Sequence, residues 1–236
     1  LAQLASNEPR VPLDKGAVAF SDASLPQGPL SGGSLATPSI VPAVLQAPDN
    51  AIEALLSIAT TTPGSPFEKR RSADLAFEGG RVFVKGGGGT GGVPFADFLH
   101  RANLRLITGS GNSEATFGNP KPKFSTHSFG CHFVEVTWQP EIARLRVSRV
   151  VTVIDAGRIL NPLAGRNQIE GAVVMGIGMA LFEHTSYDAQ NGAPINSSLA
   201  DYVMTVNADA PPIDVYFLDY PDKEINEVGA RGIGEI

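Results

Sequence analysis

The residues that most restrict how this chain can fold are its last eleven, Asn226-Glu-Val-Gly-Ala-Arg-Gly-Ile-Gly-Glu235-Ile236. After Glu227, four of the nine remaining positions are glycine or alanine, and they carry one carboxylate, Glu235. Glycine lets a backbone take up positive φ and approach a neighbour closely, and successive free N–H groups can hold an anion. The segment predicts a tight loop pressed against another element or a ligand. A single Glu at its end is placed as a general base would be beside a bound group. On spacing alone, plain turn glycines followed by a solvated Glu also fit.

The remaining composition narrows the chemistry. The 236 residues are 42% hydrophobic and 18% charged, which suits a globular chain able to bury a core. A net charge of −6 leaves no basic excess to neutralise phosphates, so a nucleic-acid partner is not expected. One cysteine, Cys131, provides neither an internal disulfide nor a thiolate cluster. His100, His127, His132 and His184 lack paired-ligand spacing, so no metal held by side chains is expected. No run of about 18 apolar residues is present to span a membrane, and no signal-peptide pattern opens the chain.

Along the chain, residues 11–22 read as extended, entering a Pro/Gly/Ser-rich loop at 24–34. A helix-like stretch follows at about 40–59. Pro48 should end or kink it, leaving Asp49–Ile58 as the firm part with Asp49 as N-cap. Residues 60–66 read as a linker or exposed turn, 74–85 as a hairpin around Gly79-Gly80, and 93–103 as a Pro-initiated helix. Strands are expected at 129–138 and 143–155, a glycine-bearing helix at 169–182 headed by Gln168, and a buried strand at Val215–Leu218. In that helix Gly171, Gly176 and Gly178 would permit close packing. The irregular interleaving gives an α+β fold with mixed sheets and packed helices. It divides into segments 1–66, 67–127 and 128–236.

Three internal loops are candidate binding elements. Gly86, Gly88 and Gly91 spell GxGxxG after a strand, with Glu114 further on, the pattern of a dinucleotide-binding turn. Gly92-Val-Pro delays the next helix, and the preceding strand belongs to a hairpin, so a nucleotide-binding oxidoreductase stands as an alternative only. Ser31-Gly32-Gly33-Ser34 precedes a helix and could present N–H groups to a phosphate. The third loop runs from Asp155 through Arg158, Ile159, Leu160 and Asn161 to Gln168.

These segments carry a resemblance. "VGARGIGE" is similar to the Gly-[AV]-[KR]-Gly-[VIL]-Gly-Glu segment of the xanthine dehydrogenase/aldehyde oxidase family of molybdenum hydroxylases. "DASLPQGPLSGGSLATPSIVPAVLQA" and "DAGRILNPLAGRNQIEGAVVMGIGMALFEH" resemble that family's cofactor loops, with smaller likenesses in "FGCHFVEV" and "DVYFLDYPD". The resemblance extends from about Asp22 to Ile236. It is nearest to the bacterial aldehyde-oxidising branch, in which molybdopterin cytosine dinucleotide is the cofactor. It implies the fold of the family's second molybdenum-cofactor-binding domain, in the C-terminal portion of the large subunit. It implies Glu235 as catalytic base in a water-derived hydroxylation of aldehydes or N-heterocycles, with hydride transfer to Mo=S. Cofactor contacts are implied for Ser31, Gly32, Gly33, Ser34, Arg158, Ile159, Leu160, Asn161, Gln168, Arg231, Gly232, Ile233 and Gly234. Arg231 stands where the family commonly has Lys.

Pterin sulfurs and small ligands bind the metal in that family, which accounts for a chain poor in Cys and His clusters. FAD and 2Fe-2S clusters would sit on partner subunits or domains, and the N-terminal part of the same subunit would complete the site. The piece alone is expected to bind no cofactor and to be inactive. The bacterial cytoplasm and periplasm are both compatible with the resemblance. A non-catalytic scaffold or interaction module is the other alternative, since its glycine loops would be mere turns.

Overall fold

The structure is a computed structural model that describes residues 13–19, 22–87, 91–113, 124 and 126–234. The three sequence segments regroup into two compact units. One falls within residues 1–30 and 39–121, the other within 31–38 and 122–236.

The first unit is organised on helix α1, Ala36–Thr61, whose opening residues 36–38 count with the second unit. Contrary to expectation, Pro42 and Pro48 lie inside this single 26-residue helix, and Asp49 is an interior residue rather than a cap. Each proline forfeits one backbone bond, but the helix also gains tertiary partners. Ser113 Oγ donates to Ser39 O at 2.6 Å, Asn112 N to Gln46 Oε1 at 2.8 Å, and Asn50 Nδ2 to Ser110 O at 2.6 Å. Packing of a passing segment therefore outweighs local propensity.

The α1 side chains Leu55 and Ala59 enter a buried cluster with Phe67, Leu75, Val82 and Phe98. Strands β1 (Leu75–Glu78) and β2 (Arg81–Val84) form the expected antiparallel hairpin. Its two turn residues, Gly79 and Gly80, have φ of 57° and 76°, a combination glycine adopts without steric cost. Strand β3 (Val93–Pro94) pairs antiparallel with β2, and α2 (Phe95–Arg101) follows. The region expected as an exposed linker is instead tied down. Thr60, Thr62 and Ser65 are buried, Ser65 Oγ donates to Ala59 O, and Phe67 N donates back to Ser65 Oγ at 3.2 Å. Leu13–Lys15 form a short 3-10 turn where extended chain was expected.

The second unit is a three-stranded sheet covered on one face by a helix. Strand β4 (Phe129–Gln139) runs antiparallel to β5 (Arg144–Asp155), with Phe129 opposite Asp155 and a register shift between Glu135 and Val136. Strand β6 (Ile213–Phe217) joins the other edge of β5 in parallel. A parallel pair needs a long crossover, and helix α3 (Pro162–Leu181) lies within it. Ile154 and Ala156 from the sheet and Ile169 from α3 are buried together, with Phe217 and Ile233 packed against them.

Helix α3 begins earlier than its apolar pattern suggested. Asn161 is its N-cap, the side chain accepting from Ala164 N at 3.1 Å, and Pro162 occupies the first turn. Gln168 therefore sits in the second turn rather than at the head. Of the helix glycines, Gly165 and Gly178 are close-packed: a Cβ at 165 would meet Ile233 Cδ1 at 3.0 Å, and one at 178 would meet Glu183 and Thr205 side-chain oxygens. Gly171 and Gly176 face open space among the described residues. Glu183 also accepts from Tyr202 Oη at 3.0 Å, a bond that raises the phenol above its ordinary pKa. Among the described residues no helix is long and apolar enough to cross a membrane, and no His/Cys/Asp/Glu cluster could hold a metal.

Phe98 is fully buried and stacks on Phe67 with ring centroids 5.8 Å apart. Phe98→Ala is expected to cost about 3–5 kcal/mol of stability, measured by denaturant unfolding. A loss below about 1 kcal/mol would show that this cluster is not the core of the first unit.

Candidate functional site

A cleft of about 360 Å³ opens within the second unit, in the range of small-molecule sites. Three stretches line it. The first, Ser31, Ser34, Ala36, Thr37 and Pro38, is the loop and opening turn of α1. The second, Ala156, Arg158 to Asn161, Ala164, Gly165, Asn167 and Gln168, comes from the β5–α3 loop and the first two turns of α3. The third, Ala230, Arg231 and Ile233, belongs to the terminal glycine loop. The structure thus brings together all three segments from which candidate residues were drawn, and two helix N-termini frame the space.

The lining is rich in donors and lacks acids. Ser31, Ser34, Thr37, Asn161, Asn167 and Gln168 supply hydroxyls and amides, Arg158 is an exposed cation, and no Asp or Glu appears among the described lining residues. N–H groups in the first helical turn have no intrahelical acceptor and carry the positive end of the helix dipole. Such a cleft suits an anionic, polar ligand with several acceptors. Ser34 Oγ lies 2.6 Å from Gln168 Oε1, so the Ser/Gly loop and α3 meet directly.

Glycine is needed where these segments cross. Gly229 has φ of 74°, and a Cβ there would come within 2.9 Å of Pro221 Cβ. At Gly232 a Cβ would lie 2.6 Å from Leu35 Cδ2, and at Gly234 one would lie 2.5 Å from Ser34 Oγ. The terminal loop therefore runs against the Gly33–Leu35 turn at a distance only glycine permits. Gly33 and Ser34 both have positive φ, 55° and 53°; Ser34 is held there although it is not glycine.

The loop is anchored by residues that sequence reasoning did not single out. Buried Asn226 accepts from Gly229 N at 2.8 Å and Ala230 N at 3.2 Å, and its Nδ2 donates to Ala230 O at 2.7 Å. The signal was present, since an Asn three residues before a Gly is a common turn former. Arg231, expected among the cofactor contacts, directs its guanidinium at Asp155 and Asp222 instead, at 2.5 and 3.1 Å. Nothing in the local sequence linked those two aspartates to the loop. Gly32, Gly33, Gly232 and Gly234 are not among the described lining residues, although Gly234 N donates to Gly33 O at 3.4 Å. Glu235 lies outside the described residues, as do Gly88 and Glu114. The GxGxxG segment follows β2, which is the middle strand of an antiparallel sheet and not the first strand of a parallel βαβ unit.

The site can now be compared with known proteins. A family model described as the molybdopterin cofactor-binding domain matches residues 1–211. The aldehyde oxidoreductase molybdenum-binding subunit PaoC of Escherichia coli strain K12 is 33% identical over the whole chain, the match taking in 30% of PaoC. The xanthine dehydrogenase molybdenum-binding subunit of Escherichia coli O157:H7 is 36% identical over 46% of this chain and 14% of its own length. In fold, the chain is similar to a Cu,Mo-CO dehydrogenase, with TM-score 0.71 and 21% identity over 99% of this chain and 29% of that one. The chain thus spans about a third or less of the length of the relatives it matches. It belongs to the molybdopterin cofactor-binding domain family, that of the molybdenum-binding subunits of the xanthine dehydrogenases and aldehyde oxidoreductases.

Proposed function

We propose that this chain forms part of the large subunit of a molybdenum hydroxylase that oxidises aldehydes or N-heterocycles, and that its cleft holds the phosphate-bearing portion of a molybdopterin dinucleotide, the cytosine form. The observation that carries this reading is the donor-rich cleft between two helix N-termini, with no Asp or Glu among its described lining residues, built from the same three segments that resemble the family's cofactor loops. The donor set fits such a group. Ser31, Ser34 and the opening turn of α1 are suited to phosphate oxygens, Arg158 to their charge, and the Gln168 amide to a pterin edge. When bound, the molybdenum–pterin group supplies two-electron redox chemistry and activation of a water-derived oxygen.

The chain's own part is binding, orientation and proton handling. Glu235 accepts, at a carboxylate oxygen, the proton of the water-derived nucleophile. An aldehyde gains the oxygen of water and leaves as the acid, while two electrons and two protons pass on. In the assembled enzyme, 2Fe-2S and FAD centres on partner subunits would supply the onward electron-transfer chemistry, and the N-terminal part of the same subunit would complete the site. PaoC's name as an aldehyde oxidoreductase subunit supports the aldehyde class.

Two outcomes test the reading in the complete enzyme. Glu235→Gln should lower turnover by about 10²–10⁴-fold while molybdenum and pterin contents stay unchanged; near-normal kcat at full loading would remove Glu235 from the mechanism. Gln168→Ala, and separately Ser31→Ala with Ser34→Ala, should reduce pterin and molybdenum stoichiometry with little change in Tm. Unchanged stoichiometry in both would make these loops structural.

A further inference from the structure

The Asp155–Arg231–Asp222 cluster is not accounted for by cofactor binding. Arg231 is only 12% exposed, and its side chain bonds two carboxylates on separate segments. Nη2 binds Asp155 Oδ1 at 2.5 Å at the end of β5, and Nη1 binds Asp222 Oδ2 at 3.1 Å in the turn beyond β6. Nε is buried without a partner among the described residues. The guanidinium orientation is thus set by the two aspartates and not by satisfaction of its own donors. The backbone at the same point is fixed too, with Arg231 N on Ala156 O at 2.9 Å and Asp222 N on Gly229 O at 3.0 Å.

We propose that Arg231 is a positioning residue: by bridging Asp155 and Asp222 it fixes the path of Gly232–Gly234 beside the cleft, which Ile233 lines. The planar fork of Arg suits this bridge, because two nitrogens on one rigid group can face two acceptors at once; a Lys ammonium is a single point of charge on a flexible stem. The inference rests on the reading of Glu235 as the base, four residues further on. A positioning residue does not touch the reacting atoms, yet a displacement of about 1 Å can cost up to about 100-fold in rate.

The test uses the complete enzyme with Asp222→Asn, Arg231→Lys and Arg231→Met, together with Glu235→Gln. Amide hydrogen exchange over 228–234, molybdenum and pterin content, Tm, and kcat and KM are read for each. Asp222→Asn keeps Arg231 and an oxygen acceptor, so it should fold and load fully. Its loop amides should exchange about 10-fold faster, a local opening made easier by the weaker ion pair. Its kcat should fall about 10–100-fold with KM within about 2-fold. Arg231→Lys should lie between the wild type and Arg231→Met in both exchange and kcat. Unchanged exchange in Asp222→Asn overturns the clamp, and faster exchange with unchanged kcat overturns its positioning role. Should Arg231→Met fail to fold, Asp222→Asn and Arg231→Lys decide the matter alone. If Glu235→Gln proves active, the catalytic reading fails, while the exchange data still judge the clamp on its own terms.

Discussion

The organisation of the second unit depends on one junction, where the terminal glycine loop is sewn to the end of β5. Arg158 N donates to Gly229 O at 2.7 Å and Arg231 N to Ala156 O at 2.9 Å. Gly157 and Ala230 face each other as an isolated antiparallel bridge. These bonds let a loop without regular structure behave as a short extra strand beside the β5–α3 connection. A large part of the cleft lining is placed by that connection. Arg158 and Asn161 leave from it, α3 starts on it, and Ile233 reaches across to pack with Ile154, Ile169 and Phe217. An irregular loop in this position satisfies its backbone through Asn226 and β5 instead of water.

Close approach, more than flexibility, explains the glycines here. Gly157 is constrained from both sides, by φ of 69° and by the carbonyl of Gly229 where its Cβ would stand. Gly232 and Gly234 do not adopt positive φ, yet a Cβ at either would press into Leu35 or Ser34. A side chain at either position would force Leu35 or Ser34 to move. The spacing Gly229, Gly232, Gly234 is in this sense a record of three contacts, with Pro221, Leu35 and Ser34 in turn. The same reading explains why Gly171 and Gly176, equally prominent in sequence, carry no such constraint among the described residues.

How much of this could be read from the chain varied with the range of the interaction. The Gly79-Gly80 hairpin, the pairing of β4 with β5 and the helix after Pro94 rest on local turn chemistry and periodicity, and they were legible. The continuity of α1 through Pro42 and Pro48 was not, because it depends on residues 110–113, more than sixty positions away. Residues 60–66 read as linker because Thr, Pro, Gly and Ser dominate them. Ser65 reverses that by bonding back to the helix end. At the site, the Ser31–Ser34 loop, the Asp155–Gln168 loop and the terminal loop were all found, since glycine and Asn-Pro mark them. The Arg231 partners were missed: Asp155 and Asp222 are 76 and 9 positions from it, and only the fold makes them neighbours.

That pairing also bears on the charge of the cleft. Asp155 immediately precedes Ala156, a lining residue, and Asp222 accompanies the loop that carries Ala230. Two partly buried carboxylates so close to a site framed by helix N-termini would oppose the positive potential those termini create and repel an anionic ligand. Arg231 draws both into ion pairs, which offset their charge. Arg158 is the other cation among the described lining residues. A single guanidinium thereby serves two physical ends: it fixes a loop that has no secondary structure, and it offsets the acids that make this loop possible. Lys in its place would keep the second effect and weaken the first, because one ammonium cannot present a rigid pair of donors to two carboxylates at once.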